Sequence, residues 1–131
     1  MSLQFFVAME PPTITQQQHK VSVQNGKPRF YEPAELRAAR QSLEARLARY
    51  APPTPYQGVV RLLVKWCFPA EGRPDGSYRS TKPDTDNLQK MLKDVMTRLG
   101  FWVDDAQVAS EIIEKFWADV PGIFVKIEPL E

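Results

Sequence analysis

One cysteine and one histidine occur among 131 residues. A single thiol closes no internal disulfide and builds no cysteine-based zinc site, and a lone histidine has no second imidazole at ligand spacing. Long apolar runs are missing too. Nothing approaches the roughly 18 residues that a membrane-spanning helix needs. No cationic stretch leads into an apolar one near the N-terminus, so no secretory leader is indicated and the expected compartment is the cytoplasm. Excess charge of one sign is also missing. Seventeen Lys and Arg face 16 Asp and Glu, for a formal net charge of +1. Nucleic-acid binders usually carry a basic surplus, so an anionic partner here would have to be met by a local group of cations or by a bound metal ion. Repeats and low-complexity tracts are absent. What remains is ordinary for one soluble globular domain with its own core: 43% hydrophobic and 25% charged residues.

The informative stretch runs from Lys82 to Val108. Leu88, Met91, Leu92, Val95 and Leu99 fall at i, i+3, i+4, i+7 and i+11, one stripe of a 3.6-residue period. Pro83 biases Lys82 away from helical geometry, so the helix begins after it. Asp84 or Asp86 can cap it. Arg98 lies in its last turn, and Gly100 stands where a left-handed C-cap is expected. Asp86, Lys90, Lys93 and Asp94 occupy the polar face, with Asp86 and Lys90 one turn apart and pointing the same way. Phe101-Trp102-Val103 then forms a short apolar anchor before a second acidic pair, Asp104 and Asp105.

Capping alone accounts for acidic residues at a helix start, where each gains about 0.3–1 kcal/mol from the dipole. A third carboxylate within about 4 Å would meet repulsion of about 4 kcal/mol per pair at an effective dielectric of 20, which the dipole does not offset. A divalent cation does, and Mg²⁺ takes oxygen ligands: one or two carboxylates, waters and phosphate. Capping and metal binding are therefore separated by whether the carboxylates converge.

The segment Asp84-x-Asp86-Asn87-Leu88-x-Lys90, followed by Gly100-Phe101-Trp102-x-Asp104-Asp105-x-Gln107-Val108, resembles the signature of the RusA-type Holliday junction resolvases. It covers about a fifth of the chain, and many fixed positions agree across two separated blocks. The resemblance implies a small homodimeric, Mg²⁺-dependent endonuclease, with Mn²⁺ as a substitute ion and no organic cofactor. Such an enzyme cuts four-way (Holliday) DNA junctions in recombination and repair, and is associated with the nucleoid when acting on DNA. It implies that the chain folds back to bring the second acidic pair to the first. Carried over by position, the catalytic residues are Asp84, Asp86, Lys90 and Asp105. Asp84, Asp86 and Asp105 are the metal ligands, with Asp104 as the alternative to its neighbour. One departure stands out: many family members follow the Pro-Pro segment with Asn, and here Thr13-Ile14-Thr15 follows Pro11-Pro12.

The remaining elements are read in order. Gln4 to Ala8 is a short apolar run expected as a buried strand. Residues 13–30 are polar, with Val21-Ser22-Val23 and Lys27-Pro28-Arg29-Phe30 flanking an Asn25-Gly26 hairpin-turn signal. They read either as a solvated β-ribbon or, with the resemblance, as a flexible basic arm that touches phosphates through Lys20, Lys27 and Arg29. His19 in this segment is read as a surface or DNA-contacting side chain. Pro33 opens a helix at its favoured first position, with Leu36, Ala39, Leu43, Leu47 and Tyr50 as the apolar stripe. Val59 to Phe68 is the clearest strand, since Val60, Leu62, Val64, Trp66 and Phe68 alternate onto one face. Trp66 and Cys67 read as core or sheet residues. Residues 69–83 form a loop that delivers the chain to Asp84. Its Arg73, Arg79 and Lys82 are expected to face DNA together with Lys93 of the helix, and Tyr78 could stack on a base. Val108 to Trp117 and Ile123 to Ile127 are two further strands, expected to pair as a hairpin across Asp119-Val120-Pro121-Gly122.

The expected architecture is a single α+β domain over residues 1–131: two layers, a mixed β-sheet with both helices on one face, in the order strand, helix, strand, helix, strand, strand. The expected activity is metal-assisted hydrolysis of DNA phosphodiesters. A C2 homodimer would match the near two-fold symmetry of a four-way junction, with the N-terminal strand and Phe116-Trp117 as candidate contacts. Two rivals stand beside it: a non-catalytic junction-binding module whose acidic residues only cap helices, and a metal nuclease acting on other branched DNA.

Overall fold

Strict alternation places Val60, Leu62, Val64, Trp66 and Phe68 on one face of a ten-residue strand, β4 (Val60–Pro69), and all five are at most 1% exposed. In the computed structural model β4 lies inside a four-stranded sheet. The structure describes residues 1–15 and 33–131 in full and residues 20–24 and 27–31 as backbone. The other strands of the sheet are β1 (Leu3–Ala8), β5 (Val108–Ala118) and β6 (Gly122–Pro129), in the order β1-β6-β4-β5. β4 runs parallel to β5 and antiparallel to β6, and β1 is antiparallel to β6, so the sheet is mixed.

Two helices complete the fold: α1 (Ala34–Leu47) and α2 (Thr85–Leu99). Leu36, Leu43 and Leu47 of α1 share one core with Leu88, Met91, Leu92, Val95 and Met96 of α2 and with the inward residues of β4. Each such side chain contributes about 1.5–3 kcal/mol on full burial. Both helices thus cover the same face of the sheet, as the α+β reading requires. α2 is the crossover that parallel pairing of β4 with β5 demands, and this puts its N-terminus beside β5. α2 ends at Gly100, whose φ of 85° is left-handed and whose N–H reaches back to the last turn. α1 departs slightly from expectation: Pro33 stands at the N-cap, one residue before the first helical position. No described helix is long and apolar enough to cross a membrane.

The expected β5–β6 hairpin does not form. The chain reverses after Ala118 as read, but β6 pairs with β1 and β4, and β4 separates it from β5. Burial supplies the reason. Ile123, Val125 and Ile127 are fully buried, opposite Trp66, Val64 and Leu62 respectively. That inner slot removes more apolar surface from water than an outer position beside β5, which is an edge.

β2 (Lys20–Gln24) and β3 (Lys27–Tyr31) pair antiparallel as a separate ribbon, with Gln24 opposite Lys27. The strands flanking the expected turn are therefore present. Asn25, Gly26 and His19, and the side chains of Lys20, Lys27 and Arg29, lie outside the described residues.

Candidate active site

The loop before α2 is held by two cations. Lys115 on β5 donates from Nζ to the carbonyls of Thr81 and Pro83, both at 2.7 Å. Burial and the nearby Arg79 push its pKa down, while Asp84 pulls it up. Arg79 donates to Thr81 Oγ1 at 3.0 Å and to the Lys82 carbonyl, with its guanidinium 4.2 Å over the Phe68 ring and 4.5 Å from that of Trp117. Asp84 follows in an extended conformation as the N-cap residue of α2. Its carboxylate accepts no capping hydrogen bond, although its carbonyl takes the first helical bond, from Leu88 N at 3.1 Å.

Beyond Asp84, the side chains of Asp86, Gln89, Lys90 and Lys93 fall at i, i+3, i+4 and i+7, one face of α2. They form a wall of a cleft of about 260 Å³, closed opposite by Glu111 and Ile113 of β5 and by Asp105. Lys93 Nζ bonds Glu111 Oε1 at 3.0 Å, tying helix to strand across the cleft. The lining thus carries three carboxylates against two ammonium groups.

Asp105 reaches the cleft from a one-turn 3₁₀ segment, Asp105–Gln107. Asp104 is its N-cap and accepts from Ala106 N at 2.9 Å. Gln107 Oε1 in return accepts from the N–H groups of Asp104 and Val103, both at 2.9 Å, while its Nε2 donates to the carbonyls of Tyr56 and Gly58. The two neighbouring aspartates therefore divide their work: Asp104 caps the turn, and Asp105 faces the cleft. The spacing Asp104-x-x-Gln107 is a capping-box signature that was available in the sequence to separate them.

Gln89 is 2% exposed. Its Oε1 accepts from Trp66 Nε1 at 3.3 Å. An indole N–H can only donate, which fixes the amide orientation and turns the NH₂ away from Trp66. Nε2 meets no acceptor among the described residues. A buried donor left so costs about 1–3 kcal/mol.

Asp86, Lys90, Asp105 and Lys93 of the expected set thus share one cleft, and Asp84 stands outside its lining. Among the described residues no three of His, Cys, Asp and Glu come close enough to enclose a metal ion. Lys82 is exposed beside Asp84. Arg73 lies 3.9 Å over the Trp117 ring and pairs with Glu71 at 3.6 Å. Tyr78 is stacked on Phe116 and donates to Glu114 Oε2, a bond that raises the phenol's pKa. Trp117 is buried within the chain, whereas β1, the other candidate contact, is an edge strand. Gln89, Glu111 and Lys115 were not anticipated, and Gln107 stood in the signature without a role. For Gln89 the helical spacing from Asp86 was a usable signal; for Lys115 there was none, since its partners are backbone carbonyls more than 30 residues away.

A crossover helix and the parallel strand after it, enclosing carboxylates and ammonium groups in an open cleft, define a small α+β protein with an acidic–basic site. The sequence profile described as endodeoxyribonuclease RusA matches residues 10–128, and the chain belongs to that family. It is 28% identical over 137 residues to the uncharacterized protein YqaN of Bacillus subtilis, covering 95% of this chain and 94% of the relative. It is 29% identical over 111 residues to the crossover junction endodeoxyribonuclease rusA of Lactococcus phage r1t, covering 82% and 83%. A shorter match, 53% over 32 residues, joins it to crossover junction endodeoxyribonuclease RusA of Escherichia coli K12, covering 24% and 27%.

Proposed function

We propose that this chain is a structure-specific endodeoxyribonuclease that resolves four-way DNA junctions by hydrolysing phosphodiesters in two opposed strands. The observation that carries the reading is the meeting of Asp86, Lys90 and Asp105, from two separated sequence blocks, in one cleft. Capping explains Asp104, and the dipole of α2 favours Asp84 and Asp86, but neither effect accounts for Asp105, which faces the cleft. This weighs against a module that merely binds junctions.

A phosphodiester brings negative charge to a lining that already holds an excess carboxylate. Hard oxygen donors suit Mg²⁺, with Mn²⁺ as a substitute, and Mg²⁺ commonly uses one or two carboxylates plus water and phosphate oxygens. Asp86 and Asp105 would hold the ion, and Asp84, which stands outside the lining, is the third carboxylate proposed to join them. When bound, the ion supplies charge neutralisation at the phosphate and eases ionisation of water. The chain's own groups do the rest. Lys90, exposed at the cleft, steadies charge on the phosphoryl oxygens as a compact cation. The Lys93–Glu111 bond holds the far wall at a fixed spacing. Lys82, Lys20, Lys27 and Arg29 are the cations proposed to track the DNA backbone outside the cleft.

Paired nicks need two sites related by a two-fold axis, so the working form is proposed as a C2 homodimer acting in recombination and repair on cytoplasmic, nucleoid-associated DNA. The test is cleavage of a synthetic immobile four-way junction against a linear duplex and a flap, with Mg²⁺, with EDTA and with Asp86→Asn. Symmetric nicks confined to the junction, lost with EDTA and in the variant, are expected. Equal cutting of the flap would favour a general branched-DNA nuclease. Tight binding without cutting in Mg²⁺ or Mn²⁺ would favour the binding module.

A further inference from the structure

We infer that Gln89 is a phosphate-contacting residue whose Nε2 donates to a non-bridging oxygen of the DNA phosphodiester seated in the cleft between α2 and β5. The inference rests on the nuclease reading for the nature of the ligand, and on Gln89's own geometry for the contact.

Three features converge on that amide. Trp66 lies on the central strand with no exposure, and its indole N–H can be accepted only by Oε1, so the orientation of the NH₂ group follows from chemistry. Gln89 itself is 2% exposed, and its Nε2 has no acceptor among the described residues although the side chain lines the cleft. Asp86, Asp105 and Glu111 share the lining, yet none of their oxygens accepts a hydrogen bond from Nε2. A buried polar group that folding leaves unpaired at a cleft is a feature of sites whose ligand supplies the partner.

The neighbours say what kind of partner. Gln89 sits between Asp86 and Lys90 on one helix face, and Lys93 follows one turn later. A phosphodiester oxygen accepts hydrogen bonds, and both ammonium groups favour it. Being neutral, the amide adds a donor without competing for the carboxylates, as a further ammonium would. The Trp66 bond fixes which end of the amide is the free donor, and because Nε2 is almost fully covered before substrate arrives, the contact forms as the side chains around it part for the phosphate.

Two variants test this. Gln89→Glu keeps an oxygen for Trp66 at nearly the same shape but replaces the donor with an acceptor. Gln89→Met keeps the volume and removes both groups. Each is assayed on the four-way junction with Mg²⁺, on junctions bearing a single Rp or Sp phosphorothioate at the cut site, and for junction affinity in EDTA. Thermal melting establishes that each variant is folded. We expect kcat to fall about 100-fold in both variants with KM changed far less, as when one donor to the reacting phosphate is removed. We further expect wild type to be slowed by sulfur in one diastereomer beyond its effect on Gln89→Met, because the variant has no donor there to lose. A folded variant with kcat within about threefold of wild type and an unchanged diastereomer preference would overturn the inference. If wild type itself cuts no junction, the nuclease reading falls separately. Affinity then decides: a loss of about tenfold in Gln89→Met keeps the phosphate contact, and unchanged affinity ends it.

Discussion

Lys115 illustrates how much of the site depends on side chains that line no part of the cleft. Its two bonds hold the carbonyls at Thr81 and Pro83, and Asp84 is the next residue. Replacing it with Met leaves both carbonyls without their charged donor. Lys115→Met is expected to lower unfolding free energy by about 1–3 kcal/mol in urea denaturation. Junction cleavage should also fall under conditions where the variant remains folded, and Lys115→Arg should recover part of both. Unchanged cleavage by folded Lys115→Met would detach the loop tether from the chemistry. At this scale the sequence was legible where chemistry follows from spacing. Asp86 and Lys90 lie one turn apart, and the second acidic pair belongs to a recognisable block. It was illegible where the role comes from a distant partner: Gln89 acquires its orientation from Trp66, 23 residues earlier in the chain. Arg79 likewise owes its place to distant partners, with its guanidinium over the Phe68 and Trp117 rings and a bond to the Lys82 carbonyl.

Among the elements, α2 was readable end to end because its stripe, proline start and glycine stop all agree. β4 was readable because strict alternation leaves one interpretation. The pairing of β5 and β6 was not. Turn residues mark where a chain reverses, whereas the neighbour a strand then takes depends on which slot buries its apolar face. Gly122, the first residue of β6, belongs to this packing. A Cβ there would collide with the Phe6 ring and come within 2.6 Å of the Val7 carbonyl oxygen. Gly122→Ala is therefore expected to destabilise by about 1–3 kcal/mol through overpacking, read as a lower urea midpoint. Adding Phe6→Ala should not restore the loss, because the clash with backbone persists. Stability equal to wild type for Gly122→Ala would show that β1 can yield at this point.

For the whole molecule, the balance of 17 cations against 16 anions means that DNA affinity must come from local arrangement. Each cation that displaces a counterion from duplex arms adds about 0.9 to the slope of log affinity against log salt. Replacing Lys20, Lys27 and Arg29 together with Ala is expected to reduce that slope by up to about 2.7, if all three touch phosphate. An unchanged slope would remove the β2–β3 ribbon from the footprint. The layered α+β plan could be foreseen from the alternation of element types, and a separate solvated ribbon was one of the two readings open for residues 13–30. The cleft's lining, by contrast, comes wholly from residues 86 to 113, one unbroken run through α2, the capped turn and β5. That continuity bears on inheritance. An exchange between two related genes in the loop between β4 and Asp84 passes on every lining side chain from a single parent. β1, α1 and β4 would come from the other parent, and they must still bury against α2, β5 and β6. In such hybrids the chemistry travels as one unit, and packing compatibility decides which of them survive.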